Sequence, residues 1–477
     1  MSDTSGSKIL RVGLLNEVHH LDPQSANDNE SMWVLRQVLE MPYEIRAGHA
    51  EVEPVLFEGP LEVLDGSDNR RYRGKVREGI RFADGEPVTP AHVVQCLRQA
   101  SLAKEQAEVT QDGDHLIFDL RRANARFDVM LTHQQCAVYR LENGRVCATG
   151  PFQISQDSTP GHLRLVRNPY YRQELKLDEI HFRVYPVDGD GRPTALVRAI
   201  QQGEVDFCSV LPRDDISRLS GVRKSFLPGI STAMLSMNCA RPPLDDANLR
   251  RALAHSINRL KVAESCYSNG LAFTATSILP RGLVAVDDDL VYDVRKARAC
   301  LEEAGKPLPK KLSGLMTWGP RPYLPNPTGA AEVISQHLAE LGVTVEWTRP
   351  PNSSDFFQRC IDGRHELVLA GWVSDTIDPS DFLEASLASE RVPTWENLAV
   401  STNHAHYRSP RMDEKLAQYR AQGDMGTLEE VMEVLTEEAP LVPLIYGASA
   451  SVLSFKVLGF QPSPLGTQKL VHLDLKR

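Results

Sequence analysis

The chain has 477 residues, more than one hydrophobic core usually organises, so two or three domains are expected. Its 53 basic and 63 acidic residues leave a net charge of −10, which argues against broad contact with a phosphate backbone, and no nucleic-acid partner is expected. Hydrophobic residues make up 42% and charged residues 24%, an ordinary globular composition without the roughly 18 uninterrupted apolar residues of a membrane span.

The first segment, MSDTSGSKILRVG, lacks the charged start, apolar run and small-residue cleavage site of a secretory leader. On this reading the protein is either cytosolic or a mature form with a replaced start. Eight cysteines (Cys96, Cys136, Cys147, Cys208, Cys239, Cys266, Cys300 and Cys360) are scattered without a Cys-x-x-Cys pair or zinc-like spacing. Buried free thiols are expected, with a lean toward a reducing compartment.

A strand over 9–15 leads through NEVHHLDP into a helical stretch over 31–39. Next come an alternating stretch, a turn at Asp84-Gly85 and a helix with Thr89 as N-cap, Pro90 in the first turn and Val93, Val94 and Leu97 on its apolar face. A strand over 116–120 follows the turn Asp112-Gly113-Asp114, completing a compact α+β unit. After TGPFQI, the alternations Leu163, Leu165 and Ile180, Phe182, Val184 read as two half-buried strands. A helix over 193–202, with Leu196, Val197 and Ile200 at helical spacing, ends at Gly203 before the strand EVDFCSV. The helix DDANLRRALAHSIN repeats Leu249, Leu253 and Ile257 behind an acidic start, and TAMLSMN is its partner strand.

From about residue 270 the pattern becomes βαβ alternation, the signature of a parallel sheet. DVRKARACLEEAG is a helix closed by Gly305; GAAEVISQHLAELG is another, closed by Gly342 and followed by the strand VTVEW. Leu367-Val368-Leu369-Ala370 reads as a strand covered on both faces, and Asp378-Pro379-Ser380-Asp381 as a helix start, so 371–377 is expected to connect them. Ligands of open α/β sheets bind beyond the carboxyl ends of the strands, which puts Trp372 and Asp375 where a pocket belongs. A last helix over 428–438 stops before Pro440, and LVPLIYG and SVLSFKVLGF return to strand character. The expected fold class is α/β, with a second lobe set between two stretches of the first.

Nearly the whole chain resembles the family 5 extracytoplasmic solute-binding proteins, the peptide, dipeptide and nickel receptors of ABC importers. The resemblance rests on NEVHHLDP, VREGIRFADGEPVTPAHVVQCL, TGPF, LVRNPYY, GEVDF, MNCARPPLDDANLRRAL, DVRKARACLEEAG, GWVSDTIDP and HAHYRSPRMD, all in the family's order. It implies a two-lobed, periplasmic-binding-protein-like fold of the class II type, with a small extra α+β domain in the first lobe. The first lobe would be 1–43, 149–269 and 447–477, the extra domain 44–148 and the second lobe 270–446, joined by two hinge strands.

In peptide-binding relatives an extended ligand lies in the interlobe cleft and its backbone pairs with protein strands, which explains affinity with little sequence preference. The positions resembling those backbone clamps are Glu17, Val18, Gly371 and Val373. Gly371 would matter for lacking a side chain, so that another backbone can approach. Asp375 matches the aspartate that holds the ligand's α-ammonium, its other reading being a helper to the helix start at Asp378. Trp372 would line a side-chain pocket or else belong to the core, and Asn238 and Tyr407 match positions bordering the cleft. Some oligopeptide receptors place an arginine two residues before Gly-Trp to receive the ligand's carboxylate. Here that residue is Leu369, and Arg359 and Arg364 nearby read as solvated surface.

The resemblance implies a monomer that captures a peptide or similar amine-bearing solute and passes it to an ABC permease, extracytoplasmic if a leader has been removed. The alternative is a cytosolic descendant of the fold, a ligand sensor or biosynthetic enzyme, suggested by the missing leader, the cysteines and a short extra domain. No Gly-x-Ser-x-Gly, His-Glu-x-x-His or Walker loop is present, so no catalytic residue is assigned. No cofactor or metal is expected; a nickel or haem reading would have to use His19, His20, His404 and His406, with no third ligand such as Cys suitably placed.

Overall fold

In a computed structural model, residues 7–26, 28–45, 51–64, 66–189, 192–267, 273–374, 376–398, 401–463 and 469–476 are described. The chain divides into two units, Met1–Leu227 with Ser449–Arg477, and Pro228–Ala448. It passes from one to the other inside the strands Arg223–Met237 and Leu441–Leu453.

In the first unit the strand Ile9–Leu14 pairs in parallel with Glu179–Val184, from Ile9↔Glu179 to Leu14↔Val184, and with Phe207 at Val12. The sheet continues antiparallel through His162–Arg167 to Phe152–Ile154. The predicted alternation holds: Leu163, Leu165, Ile180 and Phe182 are buried, and Trp33 of the helix Asn29–Arg36 meets Phe182 edge-on at 5.5 Å. Residues within 43–138 gather a core of their own around a four-stranded antiparallel sheet and the helix Pro90–Gln99. That helix starts at Thr89, whose hydroxyl accepts the His92 N–H at 3.4 Å while His92 Nδ1 accepts the Thr89 N–H at 3.2 Å, a reciprocal cap built with histidine.

In the second unit Lys311–Met316, Thr344–Thr348 and Leu367–Val373 form the parallel ladder. The helices Val294–Ala304 and Ser353–Asp362 end at Gly305 and Gly363, both with positive φ (62° and 57°), where a glycine closes the last turn without strain. The other edge of Leu367–Val373 pairs antiparallel with 231–237. Residues 228–267, which fall in the stretch expected in the first lobe, make their contacts in this unit, through that ladder and through Ala247–Ser256 packing on Val294–Ala304. The expected strand TAMLSMN is only the second half of Arg223–Met237, because Pro228-Gly229 masks the first half in the sequence pattern. Likewise the first part of the last predicted region is one strand of 13 residues, Leu441–Leu453. Gly447 makes this possible, since a Cβ there would stand 2.0 Å from Ser231 Oγ. Among the described residues no helix is long and apolar enough to cross a membrane.

Candidate functional site

The three parallel strands of the second unit bring their carboxyl ends to one edge, followed by the segments 317–326, 349–352 and 374–378. The last strand runs further than expected: Gly371, Trp372 and Val373 pair with Ala233, Thr232 and Ser231, so the connection to the helix Pro379–Leu387 begins at Ser374. Asp378 caps that helix, its carboxylate accepting the Ser380 N–H at 3.0 Å.

The strand also outruns its parallel neighbour, which stops at Met316↔Leu369. Ser374 N–H donates to Ile230 O and Asn238 N–H to Glu366 O, both at 2.8 Å, which fixes the phase of the ladder. Even-numbered residues turn their backbone groups toward 231–237, and odd-numbered ones toward the other edge. Gly371 and Val373, the two expected backbone clamps, therefore face an edge that no described strand extends along.

At Gly371 the close approach is made by the protein itself. A Cβ would lie 2.3 Å from Thr232 O and 2.8 Å from two ring carbons of Tyr323, so the bare backbone admits that ring, in place of the ligand backbone expected there. Val373 is 42% exposed. Trp372 is half-buried, and among the described residues its indole Nε1 has no hydrogen-bond partner; the same holds for Thr232 Oγ1 and Ser374 Oγ. Strand alternation puts these three side chains on one face at the carboxyl edge. Asp375 lies outside the described residues. Glu17, exposed, and Val18, buried, follow the carboxyl end of Ile9–Leu14 in the first unit.

Asn238 and Tyr407 are not at this edge. Met237 pairs with Leu367, so Asn238 stands at the start of the strand whose end carries Trp372, six steps or about 20 Å away. Its side-chain amide donates to Gly363 O and His365 O at 3.0 Å and accepts the Ala240 N–H at 3.1 Å. Tyr407 is 2% exposed and donates to Glu438 Oε2 at 2.6 Å; burial, then Glu438, pushes its phenol up. Both side chains hydrogen-bond within their own unit.

His19 and His20 are exposed, their rings 6.4 Å apart. His406 Nε2 is engaged with Cys360 O at 2.7 Å, and His404 is enclosed edge-on to Phe356 at 5.7 Å, burial and then His406 lowering it to about 4. Ligand-type atoms of Asp84, Glu142 and Cys147 lie within 4.8 Å of one another, but the guanidinium of Arg140 already sits among them, 3.1 Å from Glu142 and bonded to Asp84.

Four residues at the carboxyl edge, Trp318, Arg321, Tyr323 and Leu324, escaped the sequence reading. Arg321 and Leu324 exchange backbone hydrogen bonds at 2.9 Å, closing a tight turn after Lys311–Met316. The Arg321 guanidinium lies over the Trp318 ring at 4.8 Å, and among the described residues it forms no ion pair. Tyr323, between them, is 6% exposed; burial raises its phenol, opposed by the Arg321 guanidinium and the Gly371 N–H beside it. By contrast Leu369 is wholly in the core, Arg359 pairs with Asp355 at 2.7 Å and Arg364 points into solvent. A strand-end rule applied to GPRPYLPNP as it was to GWVSDTIDP points to Arg321.

The family model of the bacterial extracellular solute-binding proteins, family 5 Middle, matches residues 51–393. The peptide transport periplasmic protein SapA of Salmonella typhimurium is 30% identical over 347 residues, 69% of this chain and 59% of that protein's own length. Among solved structures, HbpA2 from Haemophilus parasuis is similar with a TM-score of 0.87 at 21% identity, over 98% of this chain and 100% of that one. The dipeptide binding protein from Pseudoalteromonas sp. SM9913, in complex with Met-Leu, is similar with a TM-score of 0.73 at 20% identity, again over 98% and 100%. At these identities the likeness is one of fold, and it is the periplasmic-binding-protein α/β fold expected from the sequence.

Proposed function

The chain belongs to the family 5 extracellular solute-binding proteins of bacteria, and on that premise we propose that it captures a peptide or similar amine-bearing solute for an ABC importer. The observation that carries this reading is the backbone edge at 371–373. An extended peptide adds to such an edge by main-chain hydrogen bonds whatever its side chains, and pockets beside it take alternate side chains. On this account Val373 supplies the main-chain pairing, and Trp372, with Thr232 and Ser374 beside it, takes a ligand side chain. Asp375 holds the ammonium, and Arg321, which forms no ion pair among the described residues, takes an anionic group such as the carboxylate. Glu17 and Val18 of the first unit are proposed, by the same resemblance, as backbone-pairing positions. The names of SapA and of the dipeptide binding protein point to the same ligand class.

A nickel or haem role draws no support from the histidines, since His406 is bonded to a carbonyl and His404 is enclosed by protein. Binding rather than catalysis is proposed, as in the family. Native mass spectrometry of protein purified from its own host tests the reading. A ladder of peptide masses with free amino ends is expected, and co-purification of non-peptide solutes alone contradicts it.

A further inference from the structure

The sheet of the first unit has a second face. Leu163, Leu165, Ile180 and Phe182 turn into the core, so His162 and Arg164 on one strand, and Glu179, His181 and Arg183 on the next, lie on the opposite side. Arg164 pairs with His181 and His162 with Arg183, which makes the two histidines diagonal neighbours, a separation that aromatic side chains span. Their rings meet with centroids 5.1 Å apart and planes inclined at 70°. No metal-ligand spacing marks this pair in the sequence; the antiparallel register brings it together. Glu179 engages His181 Nε2 at 2.7 Å and is itself gripped by Nε and Nη2 of Arg164, both at 2.7 Å. A carboxylate on Nε2 sets the tautomer of His181 and leaves Nδ1 as the nitrogen with a lone pair to offer.

We propose that His162 and His181 form a two-histidine site for a divalent transition metal, best matched to Zn2+, that ties the strands His162–Arg167 and Glu179–Val184 together. Two imidazoles bound at about 2.0–2.1 Å and meeting at a tetrahedral angle put their ring centroids roughly 5 Å apart, whereas the right angle of a tetragonal Cu2+ or Ni2+ site brings them to about 4.5 Å. Glu179 then has the part of the outer carboxylate that orients a ligating imidazole and raises its basicity. The local charge is balanced. Arg164 meets Glu179 and Asp157, and Arg11, paired across the ladder with His181, meets Asp206 at 2.7 Å. With Arg183, over the Tyr185 ring at 5.3 Å, three cations face three anions around the pair. His162 is exposed, so solvent supplies the remaining positions on the ion.

The test is calorimetric titration of Zn2+ at pH 7.5 into the full chain, stripped with a chelator and carrying no polyhistidine tag, and into its His162→Ala, His181→Ala and Glu179→Gln variants. The wild type is expected to bind a zinc ion that both histidine variants lose, and Glu179→Gln to weaken that binding by roughly 10–100-fold. Melting temperatures are the second readout: zinc is expected to raise that of the wild type and to leave those of the two histidine variants unmoved. No zinc bound by the wild type, or an affinity that either histidine variant leaves unchanged, overturns the site. An affinity unchanged in Glu179→Gln overturns the part given to the carboxylate. If an alanine variant melts before it can be titrated, His162→Gln or His181→Gln, which keeps a polar side chain of similar length, is expected to show the same loss, and full affinity there counts against the proposal.

Discussion

Among the described residues Trp372 buries an indole N–H without an acceptor, and across the ladder Thr232 holds a hydroxyl in the same condition. A buried polar group left unpaired costs about 1–3 kcal/mol, so a protein keeps such groups where something other than its own chain meets them. Trp372→Phe is therefore predicted to leave the urea midpoint unchanged or slightly higher while weakening peptide binding; a large loss of stability with unchanged binding would assign the indole to the core. Tyr407 makes the opposite case. Its hydroxyl serves Glu438, so Tyr407→Phe is predicted to destabilise the second unit by about 1–3 kcal/mol in urea unfolding with no change in ligand affinity. A change in affinity without a change in stability would restore it to the binding site.

At the scale of elements, the strand Leu367–Val373 does two jobs along its length. Its first half, with Leu367 and Leu369 fully buried, is core; its second half extends past the neighbouring strand and offers backbone. Gly371 sits where the two meet. Gly371→Ala is predicted to cost about 1–3 kcal/mol in thermal or urea unfolding, since the new methyl group would lie 2.3 Å from Thr232 O and 2.8 Å from the Tyr323 ring; a neutral substitution would show that both can give way. Much of this element was legible in the sequence. The apolar run gave the strand and Asp378-Pro379 gave the helix start. What was not legible followed from partners distant in the chain. The strand's extra length depends on pairing with 231–233, and the filling of the Gly371 face depends on Tyr323, 48 positions earlier in a proline-rich turn with no periodicity to mark it.

At the scale of the whole molecule, pH offers a handle that local contacts do not. His404 is neutral in the folded chain because burial holds it near 4, against 6.5 when free. Between those values the unfolded chain takes up a proton that the folded chain refuses, so stability is full above pH 6.5 and declines as pH falls toward 4, by up to about 1.4 kcal/mol per unit from this residue. Urea unfolding at pH 7.5, 6 and 5 is predicted to show that decline, and His404→Met to reduce its slope; an identical slope in the variant would place the linked proton elsewhere. The overall net charge of −10 disfavours a polyanionic partner.

The central claim is that the carboxyl edge of the second unit receives an ammonium group at Asp375. Titrating a tripeptide and its N-acetyl form into the wild type and Asp375→Asn tests it most directly. The free peptide is predicted to lose about 2–5 kcal/mol of binding in the variant while the acetylated form, already weak, loses little. Equal losses for both peptides, or none for either, would contradict the account.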